Sequence, residues 1–321
     1  MDFAGSLQSL RGYVHSTRTH IAMQASLDER LWADHPLAMS FMDHIRACNA
    51  HDPAAFRPFE VEDTVIGHVL TAFMGRLAAF PDIFQVEDDR VILRPVFRTP
   101  EERTKAMRRA TLALQKAGVL PPDHGEDYAI VKAWGQPTLF LLDRAHVSAF
   151  GLKAFGLHVN GFVRSPEGLK LWIGTRSLDK AVAPGKLDNM VAGGQPAGLT
   201  LAQNLLKEAA EEADIPADLA ATAIPVGALS YRMGGRLGLK PDTMFLYDLE
   251  LPADFVPRNT DGEISSFALV PLEEVAERVR SSSDFKFNVN LVIIDFLIRH
   301  GYLSPDLEPD YLGLVSGLRR G

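Results

Sequence analysis

The spacing of apolar residues in the first half of the chain predicts a mixture of helices and strands. Helical spacing is found in residues 26–51, 65–80 and 101–119. Apolar and β-branched runs typical of strands occupy residues 89–97 and 128–144. We therefore expect residues 1–150 to form an α+β domain, with a helical N-terminal extension over about the first 50 residues.

The second half of the chain predicts more strands. Two β-rich runs within residues 158–177, joined across residues 165–168, predict a β-hairpin. Further strands are expected at residues 190–192, 224–232, 244–250 and 265–270, and helices at residues 272–281 and 288–300. We therefore place a domain boundary at residue 150 and a second domain over residues 151–321.

Residues 192–215, AGGQPAGLTLAQNLLKEAAEEADI, combine a glycine-rich turn with a helix that Thr200 caps. Glu208, Glu211 and Glu212 stand at i, i+3 and i+4, so an α-helix projects all of them toward one patch. Carboxylates crowded in this way repel each other unless a cation neutralises them. Hard oxygen ligands suit Mg²⁺ or Mn²⁺, so the stretch predicts a divalent metal site.

This stretch resembles the Nudix box, G-x5-E-x7-R-E-U-x-E-E-x-G-U with U aliphatic. The match runs from Gly193 to Ile215 without a gap, and Glu208, Glu211 and Glu212 stand at box glutamates. The resemblance implies a Nudix fold for the second domain, in which a mixed β-sheet lies between helices. The fold class that we expect is therefore α/β plus α+β.

Three positions depart from the box. Leu199 stands where the first glutamate is expected, Lys207 replaces arginine, and Asp214 replaces the late glycine. In the family, that glutamate and arginine mainly orient the metal-binding carboxylates, so these departures bear more on the rate than on the metal. A glutamate-rich helix taken alone is commonly just a solvated face. The glycine turn, the cap and the fixed spacing favour the box.

A wider resemblance covers nearly all of the chain. The segments LDNMVAGGQPAGLT, FLYDLELP and FKFNVNLVIIDFLIRHGYL, together with the N-terminal α+β region, look like the thiamine-pyrophosphokinase-related Nudix subfamily, which carries an extra N-terminal domain. This resemblance implies hydrolysis of thiamine diphosphate or an oxidised analogue to the monophosphate and phosphate. Because proteins with one fold act on many substrates, the resemblance supports the type of reaction more strongly than the identity of the substrate.

The resemblance also implies residue roles in a metal-assisted substitution at phosphorus. Glu208, Glu211 and Glu212, with the carbonyl oxygen of Gly193, are the expected ligands of Mg²⁺ or Mn²⁺. Lys207 would orient Glu208 or screen the cluster of carboxylates.

Glu263 is the candidate proton acceptor outside the box. It lies in the loop DGEISSF before a predicted strand, from which its carboxylate could reach the metal site from the opposite wall. The alternative is an exposed turn residue beside Asp261 and Gly262. Glu250 is less favoured because a polar residue in an alternating strand commonly faces solvent.

The candidate substrate contacts are Arg176, Tyr231 and Arg232. A guanidinium at the end of a strand suits phosphoryl oxygens, although a plain surface arginine fits position 176 equally well. Tyr231 and Arg232 precede the glycine-rich segment MGGRLGLKP, which could form a loop over the substrate. Trp134 or Trp172 could stack on a substrate ring, or belong to the core.

The resemblance implies a small diphosphate as the substrate, and composition and charge exclude other kinds of partner. A net charge of −8 and a pI near 5.7 argue against binding nucleic acid, which requires a basic face. The sequence has no apolar run long enough for a membrane span and no secretory signal pattern. A single cysteine, Cys48, suits a reducing, cytoplasmic location. A homodimer is expected only on base rates.

Other functions remain open at this point. ADP-ribose or a dinucleotide could be the diphosphate that is hydrolysed. A non-catalytic Nudix module that senses a metabolite is supported only by the altered positions 199, 207 and 214. An isomerase of the isopentenyl-diphosphate type would need a cysteine in the second domain, and Cys48 lies outside it.

Overall fold

The structure, a computed structural model, describes residues 40–320, so the extension predicted before residue 40 lies outside the described residues. The helices are α1 (Phe41–Cys48), α2 (Thr71–Leu77), α3 (Pro100–Lys116), α4 (Leu201–Ala213), α5 (Ala217–Ala220), α6 (Leu272–Ser281), α7 (Val289–Arg299) and α8 (Tyr311–Gly317). The strands are β1 (Phe56–Val61), β2 (Thr64–Leu70), β3 (Phe84–Val86), β4 (Val91–Leu93), β5 (Asp127–Val131), β6 (Thr138–Asp143), β7 (Ala154–Ser165), β8 (Gly168–Arg176), β9 (Leu187–Asn189), β10 (Val191–Gly194), β11 (Ile224–Gly234), β12 (Leu239–Glu250) and β13 (Ile264–Pro271).

The first unit is built on a four-stranded sheet in the order β2-β1-β4-β3, with β5 and β6 forming a separate hairpin. Its core contains Phe59, Phe84, Met107 and Phe150 and ends at Leu152, close to the predicted boundary at residue 150. The sheet and the two longer helices confirm the expected α+β class.

The helix predicted over residues 65–80 is wrong in its first half. Residues 64–70 form β2, which pairs antiparallel with β1, and only residues 71–77 are helical. A short apolar run fits either structure, and here Val69 and Ile66 gain burial by pairing in the sheet.

The second unit is built on a seven-stranded mixed sheet. Five strands follow the order β11-β12-β7-β8-β13, while β10 adds to β7 and β9 adds to β8. Strands β12 and β7 are parallel and the other pairs are antiparallel. The predicted hairpin is confirmed as β7 and β8, and helix α6 has the predicted bounds.

Helices cover both faces of this sheet, as the mixed-sheet expectation requires. Leu205 and Ala209 of α4 pack on one face with Leu157 and Leu249. Helices α6, α7 and α8 pack on the other face. No helix within residues 40–320 is long and apolar enough to cross a membrane.

Helix α1 packs with the second unit, although the sequence analysis grouped it with the first domain. Its buried residues Phe41, Ile45 and Cys48 share a core with Leu314 and Leu318. The helix has an apolar side at i, i+4 and i+7, and this side is buried in that core. The first helix of the described residues therefore belongs to the core of the second unit.

A buried charged network ties β12 to α7. Asp248 accepts hydrogen bonds from Arg299, His300 and Asn160 at 2.5 to 3.0 Å. Burial by itself raises the pKa of Asp248, but these hydrogen bonds outweigh it and lower the pKa to about 2. The carboxylate is therefore held ionised between the sheet and the helix.

Replacing Asp248 with alanine leaves Arg299 with one fewer partner, so we expect a loss of about 3 kcal/mol in the free energy of unfolding. The folded pKa of Asp248 lies below its ordinary value of 3.8, so its contribution is complete above pH 3.8 and is lost as the pH falls toward 2. Urea unfolding of wild type and Asp248→Ala across this range measures both effects. Glu274→Ala, which breaks an exposed pair with Arg278, is the control and should change little.

Candidate active site

The helix that carries the box glutamates begins and ends where its sequence dictates. The Thr200 side chain accepts from the Gln203 N–H, and the Gln203 side chain accepts from the Thr200 N–H, which closes a capping box. Apolar residues at 205, 209 and 213 then face the sheet. Helix α4 is held in one rotational setting by this buried side, so the positions of its carboxylates are also set.

Asp214, which departs from the box glycine, occupies a left-handed conformation with φ of 53° at the end of α4. Glycine adopts this conformation without strain, whereas other residues do so at a cost that is smallest for Asn and Asp. The Asp214 carboxylate also forms an ion pair with Arg258 at 2.5 Å. The departure therefore keeps the backbone geometry that the box glycine serves.

Glu208 packs directly against the glycine turn. A Cβ atom added to Gly193 would lie 2.7 Å from Glu208 Oε1, so only glycine leaves room for the carboxylate. The Glu208 side chain is 12% exposed. Burial raises its pKa, Lys207 lowers it, and the nearby charges of Glu211 and Glu126 raise it further.

Glu212 lies one helical turn further on and is almost fully buried. Its Oε2 accepts a hydrogen bond of 2.7 Å from the Ala192 N–H, which ties the helix to strand β10. Burial raises the pKa of Glu212 well above its ordinary value, and the charges of Asp188, Glu208 and Glu263 add to this rise. Glu212 is thus a buried carboxylate among other carboxylates, which a bound cation would stabilise.

Glu211 lies on the exposed flank of α4 rather than beside the glycine turn. Its side chain is 47% exposed, and its Oε2 lies 2.9 Å from the Lys207 ammonium. The same ammonium lies 3.0 Å from Glu208 Oε1. Lys207 therefore bridges Glu208 and Glu211, while Glu212 approaches the glycine turn without an ion pair to Lys207.

Glu263 lies within electrostatic reach of Glu212, although it comes from the loop before β13. Its carboxylate forms an ion pair with Lys180, and its carbonyl accepts from the Ser177 N–H at 2.8 Å. Burial raises the pKa of Glu263, but Lys180, with Arg144 and Arg176 nearby, lowers it overall. Glu263 is therefore ionised.

The predicted phosphate contact at Arg176 is wrong. Its guanidinium donates to Asp188 at 2.6 Å and to the carbonyls of Val182 and Ala183 at 2.8 to 3.1 Å. Lys286 lies 3.4 Å from the same Asp188 carboxylate. Arg176 is buried because an inward-facing strand position placed it beside Asp188, so it holds the loop that follows β8 rather than substrate.

Tyr231 is not arranged as a substrate contact, while the role of Arg232 stays a prediction. The Tyr231 ring is fully buried in the core on the sheet face opposite α4, and its hydroxyl donates to Asp242 at 2.7 Å. The glycine-rich segment after them is the turn between β11 and β12, and it packs on the first unit, where Gly234 N–H donates to the Ala50 carbonyl. Arg232 lies close to His68 of that unit.

The two candidate tryptophans have different surroundings. Trp172 is 8% exposed in the core beneath α4, so it is a core residue. Trp134 is 48% exposed in the turn of the β5–β6 hairpin. Its ring centroid lies 4.9 Å from that of Phe155 and 4.6 Å from that of Phe245, so it bridges the two units.

The sequence analysis missed a second set of residues near the glutamates. Tyr128 and Arg144 belong to the β5–β6 hairpin of the first unit, and the Tyr128 hydroxyl fills the space beside Gly194. Arg144 lies within electrostatic reach of Glu263. Neither residue belongs to a recognisable sequence motif. The only sequence feature that pointed to them was the pair Gly193-Gly194, because Gly194 leaves room for the Tyr128 side chain.

Comparison with known proteins identifies the family. The chain is 42% identical over 285 residues to Nudix hydrolase 24, chloroplastic, of Arabidopsis thaliana, covering 88% of this chain and 78% of that protein. It is 41% identical over 290 residues to Nudix hydrolase 20, chloroplastic, of the same plant, covering 87% and 77%. This chain belongs to the Nudix hydrolases. It is an enzyme of that family, hydrolysing phosphoric anhydrides.

Two further findings concern the rest of the chain. Residues 40–154 match a family described as a domain of unknown function, DUF4743. An uncharacterised protein of Saccharomyces cerevisiae is 31% identical over 282 residues, covering 81% of each chain. The matched segment includes α1, the four-stranded sheet and the β5–β6 hairpin, so this Nudix hydrolase combines the box with a separate unit.

Gly193→Ala should displace the Glu208 carboxylate, because the added methyl group would collide with it. We expect affinity for Mn²⁺, measured by electron paramagnetic resonance, to fall about tenfold, since small misplacements of a metal ligand are costly. Gly75→Ala is the control: its Cβ would meet nothing within 4 Å in helix α2, so binding should not change. Equal affinities in the two variants would contradict the role of this contact.

Proposed function

We propose that this Nudix hydrolase cleaves a diphosphate linkage in a Mg²⁺-dependent reaction. The observation that carries the proposal is the convergence of the Glu208 and Glu212 carboxylates on the turn that contains Gly193. Two buried carboxylates in one cleft repel each other strongly, and burial raises the pKa of both. A hard divalent cation relieves that repulsion, so the donor set fits Mg²⁺ or Mn²⁺.

The roles of the side chains follow from their positions. Glu208 and Glu212 would hold the metal with the carbonyl of Gly193, and Glu211 would contribute from the exposed flank. Lys207 orients Glu208 by its ion pair and neutralises part of the charge of Glu211. When bound, Mg²⁺ screens charge between nucleophile and phosphate and lowers the pKa of a bound water.

Glu263 is the proposed proton acceptor for the attacking water. It lies near Glu212 but comes from a different loop, so it faces the cleft from another side. Its lowered pKa keeps it ionised, and a carboxylate accepts a proton through a positioned water. Lys180 holds the Glu263 side chain by an ion pair.

The proposed substrate is thiamine diphosphate or an oxidised analogue, cleaved to the monophosphate and phosphate. The support is the resemblance of residues 187–200, 245–252 and 285–303 to the thiamine-related subfamily. ADP-ribose or a dinucleotide is the alternative, because the same carboxylates would cleave any diphosphate that the cleft admits. A non-catalytic sensor is disfavoured by the retained glutamates. A cytoplasmic location, the absence of nucleic acid or membrane partners and a homodimer stay predictions.

A substrate panel tests the proposed function. We expect purified protein with Mg²⁺ to release phosphate or monophosphate fastest from thiamine diphosphate or its oxidised analogues, compared with ADP-ribose, NADH and nucleoside triphosphates. Chromatography of the products measures each rate, and omission of metal should abolish all of them. Faster turnover of ADP-ribose would replace the substrate proposal. Binding without turnover of any diphosphate would favour the sensor.

Glu212→Gln removes a charged metal ligand while keeping the shape of the side chain. We expect turnover to fall by at least about a hundredfold, because the metal and its bound water supply most of the rate. The fold should persist, since the amide oxygen can still accept from the Ala192 N–H. Glu273→Gln, at an exposed position of α6, is the matched control. Retained activity in Glu212→Gln would contradict the assignment.

A further inference from the structure

The β5–β6 hairpin of the first unit is attached to the second unit by three contacts, two of them at the box loop. The Ala197 N–H, in the loop between the glycine turn and α4, donates to the Asp127 carbonyl at 2.9 Å. A Cβ atom on Gly194 would overlap the Tyr128 hydroxyl, so the strand and the box turn touch without a gap. At the other end of the hairpin, Trp134 packs on two phenylalanines of the second unit.

Charged groups of the hairpin lie near the carboxylates of the cleft. Glu126 acts electrostatically on Glu208, and Arg144 acts on Glu263. Arg144 also acts on Tyr128, whose hydroxyl adjoins Gly194. Arg144 and Glu126 stand at the end of the hairpin that adjoins the box turn, because the Arg144 N–H donates to the Glu126 carbonyl at 2.9 Å, next to Asp127 and Tyr128.

The other cations near the cleft are already engaged by carboxylates. Arg176 and Lys286 bind Asp188, Lys180 binds Glu263, and Lys207 bridges two box glutamates. Each of them already neutralises a carboxylate, with which a bound anion would compete. Cations that are committed in this way are poor candidates for holding a diphosphate.

Arg144 pairs with Glu126 and lies outside the ion pairs of the box glutamates, Glu263 and Asp188, and its guanidinium has donors to spare. A guanidinium has five N–H groups. Among the described residues, Nη1 donates to Glu126 at 2.7 Å and Nη2 to His124 at 2.7 Å. The side chain is 29% exposed, so its remaining donors can reach a ligand in the cleft. The pair with Glu126 holds the guanidinium in place before any ligand arrives.

We propose that the β5–β6 hairpin forms one wall of the substrate cleft and that Arg144 binds the diphosphate of the substrate, opposite the box glutamates. This proposal rests on the proposed function of the same site. A planar fork of N–H donors matches phosphoryl oxygens, and it would hold the phosphate that the box carboxylates alone would repel. The first unit is then a part of the active site, and substrate selection depends on both units.

Methylenediphosphonate, which has a P–C–P bond that cannot be hydrolysed, tests this assignment by calorimetry in the presence of Mg²⁺. For Arg144→Ala we expect about a tenfold weaker affinity or more, because charge-assisted hydrogen bonds to phosphate are lost. The KM for the hydrolysed diphosphate should rise by a similar factor. Arg164→Ala, at an exposed position of β7 paired with Glu250, is the matched control and should bind as wild type does.

A second variant separates binding from a structural role of the hairpin. Glu126→Gln removes the carboxylate partner of Arg144 but keeps the guanidinium, so affinity for methylenediphosphonate should fall less than it does in Arg144→Ala. If Glu126→Gln weakens binding as much as Arg144→Ala does, Arg144 acts only by holding the hairpin and the proposal is overturned. Equal affinities of Arg144→Ala and Arg164→Ala would overturn it as well.

The titration also separates this proposal from the proposed function. If wild type hydrolyses no diphosphate, the proposed function fails, yet the loss of diphosphonate affinity in Arg144→Ala would still support the hairpin wall. If wild type hydrolyses diphosphates and Arg144→Ala has an unchanged KM and affinity, the proposed function stands and the assignment of Arg144 fails.

Discussion

The active site depends on the close contact between helix α4 and the glycine turn that precedes it. Leu205 and Ala209 bury one side of the helix against the sheet, and this sets its rotation. Gly193 has no side chain, so the Glu208 carboxylate can lie against the backbone there. The Ala192 N–H fixes Glu212 in the same way. Without this contact the carboxylates would lie on a solvated helix face, and nothing would hold them inside a cleft.

Burial of these carboxylates explains the charges that surround them. An isolated buried carboxylate is costly, so nearby cations are distributed among the acidic groups: Lys207 to Glu208 and Glu211, and Lys180 to Glu263. Glu212 accepts only a backbone N–H among the contacts that the described residues show, and burial raises its pKa most clearly. A divalent cation would complete this charge balance, which is the physical basis for the proposed metal dependence.

The two units are joined where the chemistry takes place. Tyr128 and Asp127 touch the box loop, Trp134 packs on the mixed sheet, and α1 packs behind that sheet. The core of the second unit therefore contains residues from both ends of the described chain. Because the first unit packs against the second, it influences the shape of the proposed cleft. A domain joined only by a flexible linker would not.

By itself, the sequence determined the features that depend on local spacing. The i, i+4 interval of Glu208 and Glu212, the Thr200 cap and the bounds of α6 follow from helix geometry and capping chemistry. Only the tertiary structure decided which way the other side chains face. Arg176 and Tyr231 point into the interior, residues 64–70 join a sheet, and the distant β5–β6 hairpin packs against the box turn. Such outcomes depend on pairing and burial between segments far apart in the chain, and local periodicity contains no information about them.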